Sequence, residues 1–143
     1  MREIKFRAYI RDEGRLLNVN LIDFDDEYVR VWDEYDENEE EWFFKDINLM
    51  QYTGLKDVNG VEIYEGDVVS FGSVWDNGDN EDLDEEIHIG VVEYDPHYAV
   101  YNVNCEESGE RRFLLMDVVN YDGFGVIGNI YESPELLEVR DEQ

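Results

Sequence analysis

The 143-residue sequence predicts a mainly β protein, a small barrel or sandwich of short antiparallel strands (SH3-like or related) with a short C-terminal helix. Three observations predict it. Apolar and polar residues alternate with period two in several stretches of strand length. Turn-forming dipeptides, Asn59-Gly60 foremost, separate those stretches. The clearest helix start is Ser133-Pro134, close to the chain's end.

Taken in order, Arg2 to Ile10 place Ile4, Phe6, Ala8 and Ile10 on one face, and Glu3, Lys5, Arg7 and Tyr9 on the other. Asp12-Glu13-Gly14-Arg15 is a turn. Leu16–Phe24 and Tyr28–Trp32 are rich in β-branched and aromatic residues and read as strands. Residues 33–41 hold seven acids and no base, and read as a hairpin tip or exposed edge before Trp42-Phe43-Phe44. Asn48–Tyr52, Val61–Tyr64 and Val68–Phe71 are further strands, punctuated by Asp57-Val58-Asn59-Gly60 and Glu65-Gly66-Asp67.

A second run of seven acids without a base, residues 76–86, reads as a flexible loop. Ile87–Tyr94 and Tyr98–Val103 form a hairpin through Asp95-Pro96-His97, with Ile87 and Ile89 inward and His88 outward. Phe113–Val119 fits either a short helix or a buried strand. Phe124–Tyr131 is the last strand, and the helix runs from Pro134 to about Val139. The length suits a single domain over 1–143, divisible into an N-terminal β lobe (1–48) and a central and C-terminal β lobe (49–143).

Charge is the unusual quantity. There are 38 acids against 11 bases, a net −27. Leu, Ile, Val and Phe still make 42 residues, above the roughly one-fifth share below which high charge means disorder. Direct binding to nucleic acid or to an anionic membrane would need clustered Lys and Arg, so neither is expected. A basic protein surface is the natural complement.

The stretch from Leu49 to Val69, containing Tyr52-Thr53-Gly54-Leu55-Lys56-Asp57 and Val61-Glu62-Ile63-Tyr64-Glu65-Gly66-Asp67, resembles the hallmark of the YopX-like family of phage and prophage proteins. Met1 to Tyr9, Gly90 to Tyr94, and Ile127 to Leu137 resemble its N-terminal strand, the strand after its central loop and its C-terminal signature. The resemblance implies a mainly β protein acting in the bacterial cytoplasm, with no established catalytic residue or cofactor to carry over. Residues 33–41 and 76–86 look like embellishments of variable loops.

Within the hallmark, Gly54, Gly60 and Gly66 fit turns, while Ile63, Val68 and Phe71 fit a core. Gln51, Tyr52, Lys56 and Tyr64 are the candidates there for a ligand-contacting surface.

Enzyme chemistry finds no support. A Ca²⁺ loop starting at Asp76 fails at its third and sixth positions, Gly78 and Glu81. The sequence offers no Cys pair for zinc, and His88 and His97 are its only histidines. Cys105 is the single cysteine, excluding an intrachain disulfide, and its neighbours Glu106 and Glu107 disfavour a thiolate. Gly123-Phe124-Gly125-Val126-Ile127-Gly128 matches a dinucleotide spacing but precedes a strand, the wrong context. The expectation is a non-enzyme with no cofactor and no metal.

The acid runs are the best functional candidates. Along an extended strand, residues i and i+2 project to one face about 6.6 Å apart. Such carboxylates imitate a phosphate backbone in a Lys- and Arg-lined groove. The candidate partner-binding residues are Asp33, Glu34, Asp36, Glu37, Glu39, Glu40, Glu41 and Trp42, with Asp79, Glu81, Asp82, Asp84, Glu85 and Glu86. Trp32, Tyr35 and Trp75 add aromatic anchors. The expected function is a phage-encoded inhibitor of a basic nucleic-acid-binding host protein, such as a nuclease, restriction enzyme or CRISPR effector. The alternative is a self-associating structural or regulatory prophage protein whose acid loops only solubilise it. No apolar run approaches the roughly 18 residues of a membrane span, and the N-terminus lacks a signal-peptide apolar region, so a cytoplasmic location is expected.

Overall fold

The computed structural model describes residues 1–75, 84–105, 110–113 and 124–138. It is mainly β, with two antiparallel sheets and one short C-terminal helix. The described strands are β1 (Phe6–Ile10), β2 (Arg15–Asp23), β3 (Tyr28–Asp33), β4 (Asn38–Phe43), β5 (Ile47–Lys56), β6 (Glu62–Tyr64), β7 (Asp67–Trp75), β8 (Asp84–Asp95), β9 (Val100–Cys105), β10 (Glu110–Phe113) and β11 (Gly125–Asn129). A 3₁₀ turn, Phe44–Asp46, precedes β5, and helix α1 is Glu135–Glu138. One sheet runs β4-β3-β2-β1-β5-β6 and the other β10-β9-β8-β7-β11. Neither closes on itself among the described residues, which corrects the barrel half of the expectation. The chain divides into two compact units, Met1–Gly54 and Leu55–Gln143.

In the first unit the alternation of β1 decides the core. Ala8 and Ile10 are fully buried with Val29 and Val31 of β3, and Ile47 of β5 is nearly so. Leu17, Val19, Ile22 and Trp42 pack against them. The register of β2 on β3 shifts between Val19 and Leu21, so Asn20 is an extra residue. That bulge returns Ile22, opposite Val29, to the core face. Without it, strict alternation would have turned Ile22 outward.

In the second unit Ile63, Val69, Phe71, Val92, Val103, Cys105 and Phe124 form one buried cluster. Cys105, at the end of β9, is an unbridged core thiol. His88 departs from the sequence expectation. It stacks on Phe71 with ring centroids 5.3 Å apart, while Ile87 is exposed. The register sets this: Phe71 lies opposite His88, so His88 shares the inward parity of Val92. Gly90 has the same parity. A Cβ there would meet Val103 Cγ1 at 2.6 Å and the Asn104 carbonyl at 2.9 Å, so β8 and β9 approach closely only because Gly90 lacks one.

The hallmark segment is a connector. Gly54, Gly60 and Gly66 all have positive φ, +91°, +82° and +88°. Around Gly60, Asp57 Oδ1 accepts hydrogen bonds from the Asn59 and Val61 amides, both at 2.9 Å. Its Oδ2 accepts from the Val126 amide of β11, 69 positions away, at 3.1 Å. Nearby, the Gly66 amide donates to the Val92 carbonyl, and the Gly66 carbonyl accepts from Ile130. Tyr52 and Tyr64 are buried, so the ligand-contacting surface expected of Gln51, Tyr52, Lys56 and Tyr64 keeps only Lys56 exposed.

The final strand is Gly125–Asn129, shorter than expected, because Asn129 starts a turn. Its Oδ1 accepts from the Tyr131 and Glu132 amides. Helix α1 follows, one residue later than expected at its start. Phe113 ends β10, and the rest of the ambiguous Phe113–Val119 stretch lies outside the described residues.

Candidate partner interface on the β3–β4 hairpin

The first acid run is divided among three places by strand geometry. Asp33 ends β3 and lies opposite Asn38 of β4, leaving Glu34, Tyr35, Asp36 and Glu37 as the hairpin tip. Side chains of β4 then alternate, with Glu40 and Trp42 half-buried and Glu39, Glu41 and Phe43 exposed.

On the core side, Arg15 gathers the acids. Its guanidinium donates to Glu40 Oε2 at 3.1 Å and Oε1 at 2.7 Å, to Asp33 Oδ2 at 3.0 Å, and to Glu13. Two parallel contacts to one carboxylate give the strong fork arrangement. Asp33 is buried, and its other oxygen accepts from the Tyr35 and Asp36 amides, which shapes the tip. Trp42 Nε1 donates to Glu40 Oε1 at 3.1 Å, so the clamped carboxylate also orients the indole.

Glu40 is held below the ordinary carboxylate range, chiefly by the Arg15 hydrogen bond, with burial opposing and Trp42 assisting. The same pair pushes the Arg15 guanidinium up, the Glu40 hydrogen bond being the largest cause. A carboxylate depressed in the folded state stabilises it above the unfolded value, about 4.3 for Glu, and loses that stabilisation as pH falls through the lower folded value. In Arg15→Met the clamp is gone. The stability gap between wild type and Arg15→Met, from urea unfolding, is therefore expected to be widest near neutral pH and to shrink on acidification below about pH 4. A gap independent of pH would refute the linkage.

On the outer side, Arg30 lies opposite Glu41 and reaches it at 3.5 Å, and reaches Glu39 at 3.7 Å. These are exposed pairs, each worth roughly 0–1 kcal/mol. Strand β4 is also the end strand of its sheet. Three glutamates along it blunt an edge that would otherwise invite strand pairing.

The tip differs. Glu34, Tyr35, Asp36 and Glu37 are all exposed, Tyr35 at 95%. Glu37 holds φ at +50°, a left-handed conformation unusual for a residue with a side chain. The sequence reading of 33–41 as a hairpin tip or exposed edge agrees with the β3–β4 pairing, but it also set Asp33, Asp36, Glu37, Glu39, Glu40 and Glu41 in one row. The fold instead leaves three at the tip, pairs Glu39 and Glu41 with Arg30, and pairs Asp33 and Glu40 with Arg15. Trp32 is partly exposed at 36% on the outer face.

The second run is placed only at its end. Asp79, Glu81 and Asp82 lie outside the described residues. Asp84, Glu85 and Glu86 stand in β8 opposite Trp75, Val74 and Ser73, as strand rather than the expected loop. Among the described residues no group of three or more His, Cys, Asp or Glu is placed to hold a metal ion, and no helix is long and apolar enough to cross a membrane. Sequence reasoning missed Arg15 and Arg30, the two cations that organise the first run. The partners of Arg15 within that run, Asp33 and Glu40, are 18 and 25 positions away, beyond any local pattern.

Comparison with known proteins places this geometry in a family. The crystal structure of protein EF1440 from Enterococcus faecalis is similar, with a TM-score of 0.57 and 25% sequence identity, covering 96% of this chain and 99% of that one. No curated protein matches the chain. A family model described as YopX protein matches residues 5–138, both units included. Strand order, hallmark turn and C-terminal signature therefore fall within one matched span, and the chain belongs to the YopX family.

Proposed function

We propose that this chain is a phage- or prophage-encoded interaction protein, non-enzymatic, that blocks a basic nucleic-acid-binding protein of the bacterial host by presenting carboxylates in place of phosphates. A defence nuclease, restriction enzyme or CRISPR effector is the class of target, met in the host cytoplasm. The observation that carries the reading is the net charge of −27, combined with a protruding tip whose Glu34, Asp36 and Glu37 flank an exposed tyrosine. Tyrosine at the centre of a charged patch is a frequent binding anchor. Long-range attraction between a strongly acidic and a basic surface also accelerates encounter.

A second reading has its own observation. Asp33, Glu39, Glu40 and Glu41 already have internal partners, and three of them guard an edge strand. On that reading the acids keep the chain soluble, and its role is structural or regulatory within the prophage.

One experiment separates them. Immobilised wild type is exposed to bacterial lysate at low salt, then eluted with duplex DNA. The inhibitor reading expects nucleic-acid-binding proteins to be retained and released by DNA. It expects the tip variant Glu34→Gln, Asp36→Asn, Glu37→Gln to lose most of that retention. If no nucleic-acid-binding protein is retained, or the tip variant retains them equally, the inhibitor reading fails and the solubilising one stands.

A further inference from the structure

Beside the edge strand β4 lies an open cleft of about 380 Å³ lined by Asp26, Tyr28, Glu41, Trp42 and Phe43. That volume falls in the range of small-ligand sites. Its lining residues are three aromatics and two acids: Tyr28, Glu41 and Phe43 from the outer face of the hairpin, Trp42 from the core side of β4, and Asp26 from the turn before β3. Phe24, 76% exposed, stands in edge contact with Phe44 in the adjoining segments. We propose that this cleft binds the guanidinium of an arginine presented by a protein partner. The inference rests on the reading of the chain as a binder of basic proteins, and it names the contact.

The argument is one of complementary chemistry. Aromatic faces attract cations through their quadrupole, and arginine both stacks on rings and forks a carboxylate. An anionic guest would meet like charge at Asp26 and Glu41, while a guanidinium would share Glu41 with Arg30, which already reaches it at 3.5 Å. The hairpin already shows both contacts with its own cations. Lys45 Nζ lies 5.8 Å from the Phe43 ring centroid, and Arg30 reaches Glu41 at 3.5 Å. The wall is also held in place: Trp42 donates to Glu40, and Arg15 clamps Glu40 from two nitrogens. A preoriented indole loses little freedom on binding. The Tyr28 hydroxyl is pushed up, first by desolvation and then by the fields of Glu41 and Asp23, consistent with a negative potential here. Glu40 is thus a positioning residue and Glu41 a contact, a division the seven-acid run did not reveal.

The test uses the full chain and a short blocked Gly/Ser peptide carrying one central arginine, followed by the Trp42 indole N–H resonance. The arginine peptide is expected to shift that resonance saturably. The same peptide with citrulline, equal in shape and without the charge, is expected to bind roughly tenfold more weakly. Phe43→Ala, at an exposed position, and Glu41→Gln are each expected to weaken the arginine peptide severalfold, while the triple tip variant leaves it unchanged. No shift at Trp42, equal binding of citrulline, or binding unaltered by both Phe43→Ala and Glu41→Gln overturns the cleft. The peptide assay involves no host protein. Peptide binding without lysate retention keeps the cleft and rejects the inhibitor reading; undiminished lysate retention by Phe43→Ala with no peptide binding does the reverse.

Discussion

Asp57→Ala is expected to destabilise the second unit by about 3–5 kcal/mol, since hydrogen bonds to a charged group contribute roughly 1.5–3 kcal/mol each. Three backbone amides lose their acceptor together: Asn59 and Val61 within the turn, and Val126 on β11. The Asp57 residue is only 6% exposed, so water replaces the carboxylate poorly. Asp57→Asn separates the two jobs. Its amide oxygen can still serve the turn, but its nitrogen cannot accept from Val126. An intermediate loss is expected, and urea midpoints at constant slope measure both. A change of less than about 1 kcal/mol for Asp57→Ala would mean that the tie between the hallmark turn and β11 contributes little. The size matters because whole domains are stable by only about 5–15 kcal/mol.

Phe71→Ala is expected to cost about 3–5 kcal/mol, the usual range for emptying a buried aromatic site. Phe71 is 1% exposed, with Phe124 at 5.6 Å and His88 at 5.3 Å between ring centroids. Because β8 and β9 are locked by the close approach at Gly90, the walls have little room to collapse into the space. Cys105 belongs to the same cluster and reports on it. Its reaction with a thiol reagent is expected to quicken in Phe71→Ala, as opening of the unit becomes more frequent. A wild-type rate of modification in the variant would show that the cluster is not one cooperative core.

The parts legible beforehand were those governed by neighbours in sequence. The alternation of β1 put Ala8 and Ile10 inside, and both are fully buried. The three hallmark glycines took positive φ, as turn chemistry expected. The family was legible too: the resemblance seen in residues 49–69 and at both ends agrees with the family match over residues 5–138. The errors have one origin. His88 and Ile87 exchanged faces because alternation has two phases, and only pairing with Phe71 chooses between them. Six acids of residues 33–41 were read as one row because an isolated extended strand has no partner cations. Placing Arg30 opposite Glu41 and Arg15 beside Glu40 takes the β2–β3–β4 register.

Charge was the most visible property of the sequence: composition determined its sign and size, and alternation with turn signals determined the mainly β character. Which carboxylates remain available to a partner was decided only by tertiary structure. Turn conformation depends on a few adjacent dihedrals, whereas the partner of a side chain on a sheet depends on register between strands far apart in sequence. Register left Glu34, Asp36 and Glu37 at a tip, committed four other acids to two arginines, and set an aromatic cleft beside Glu41.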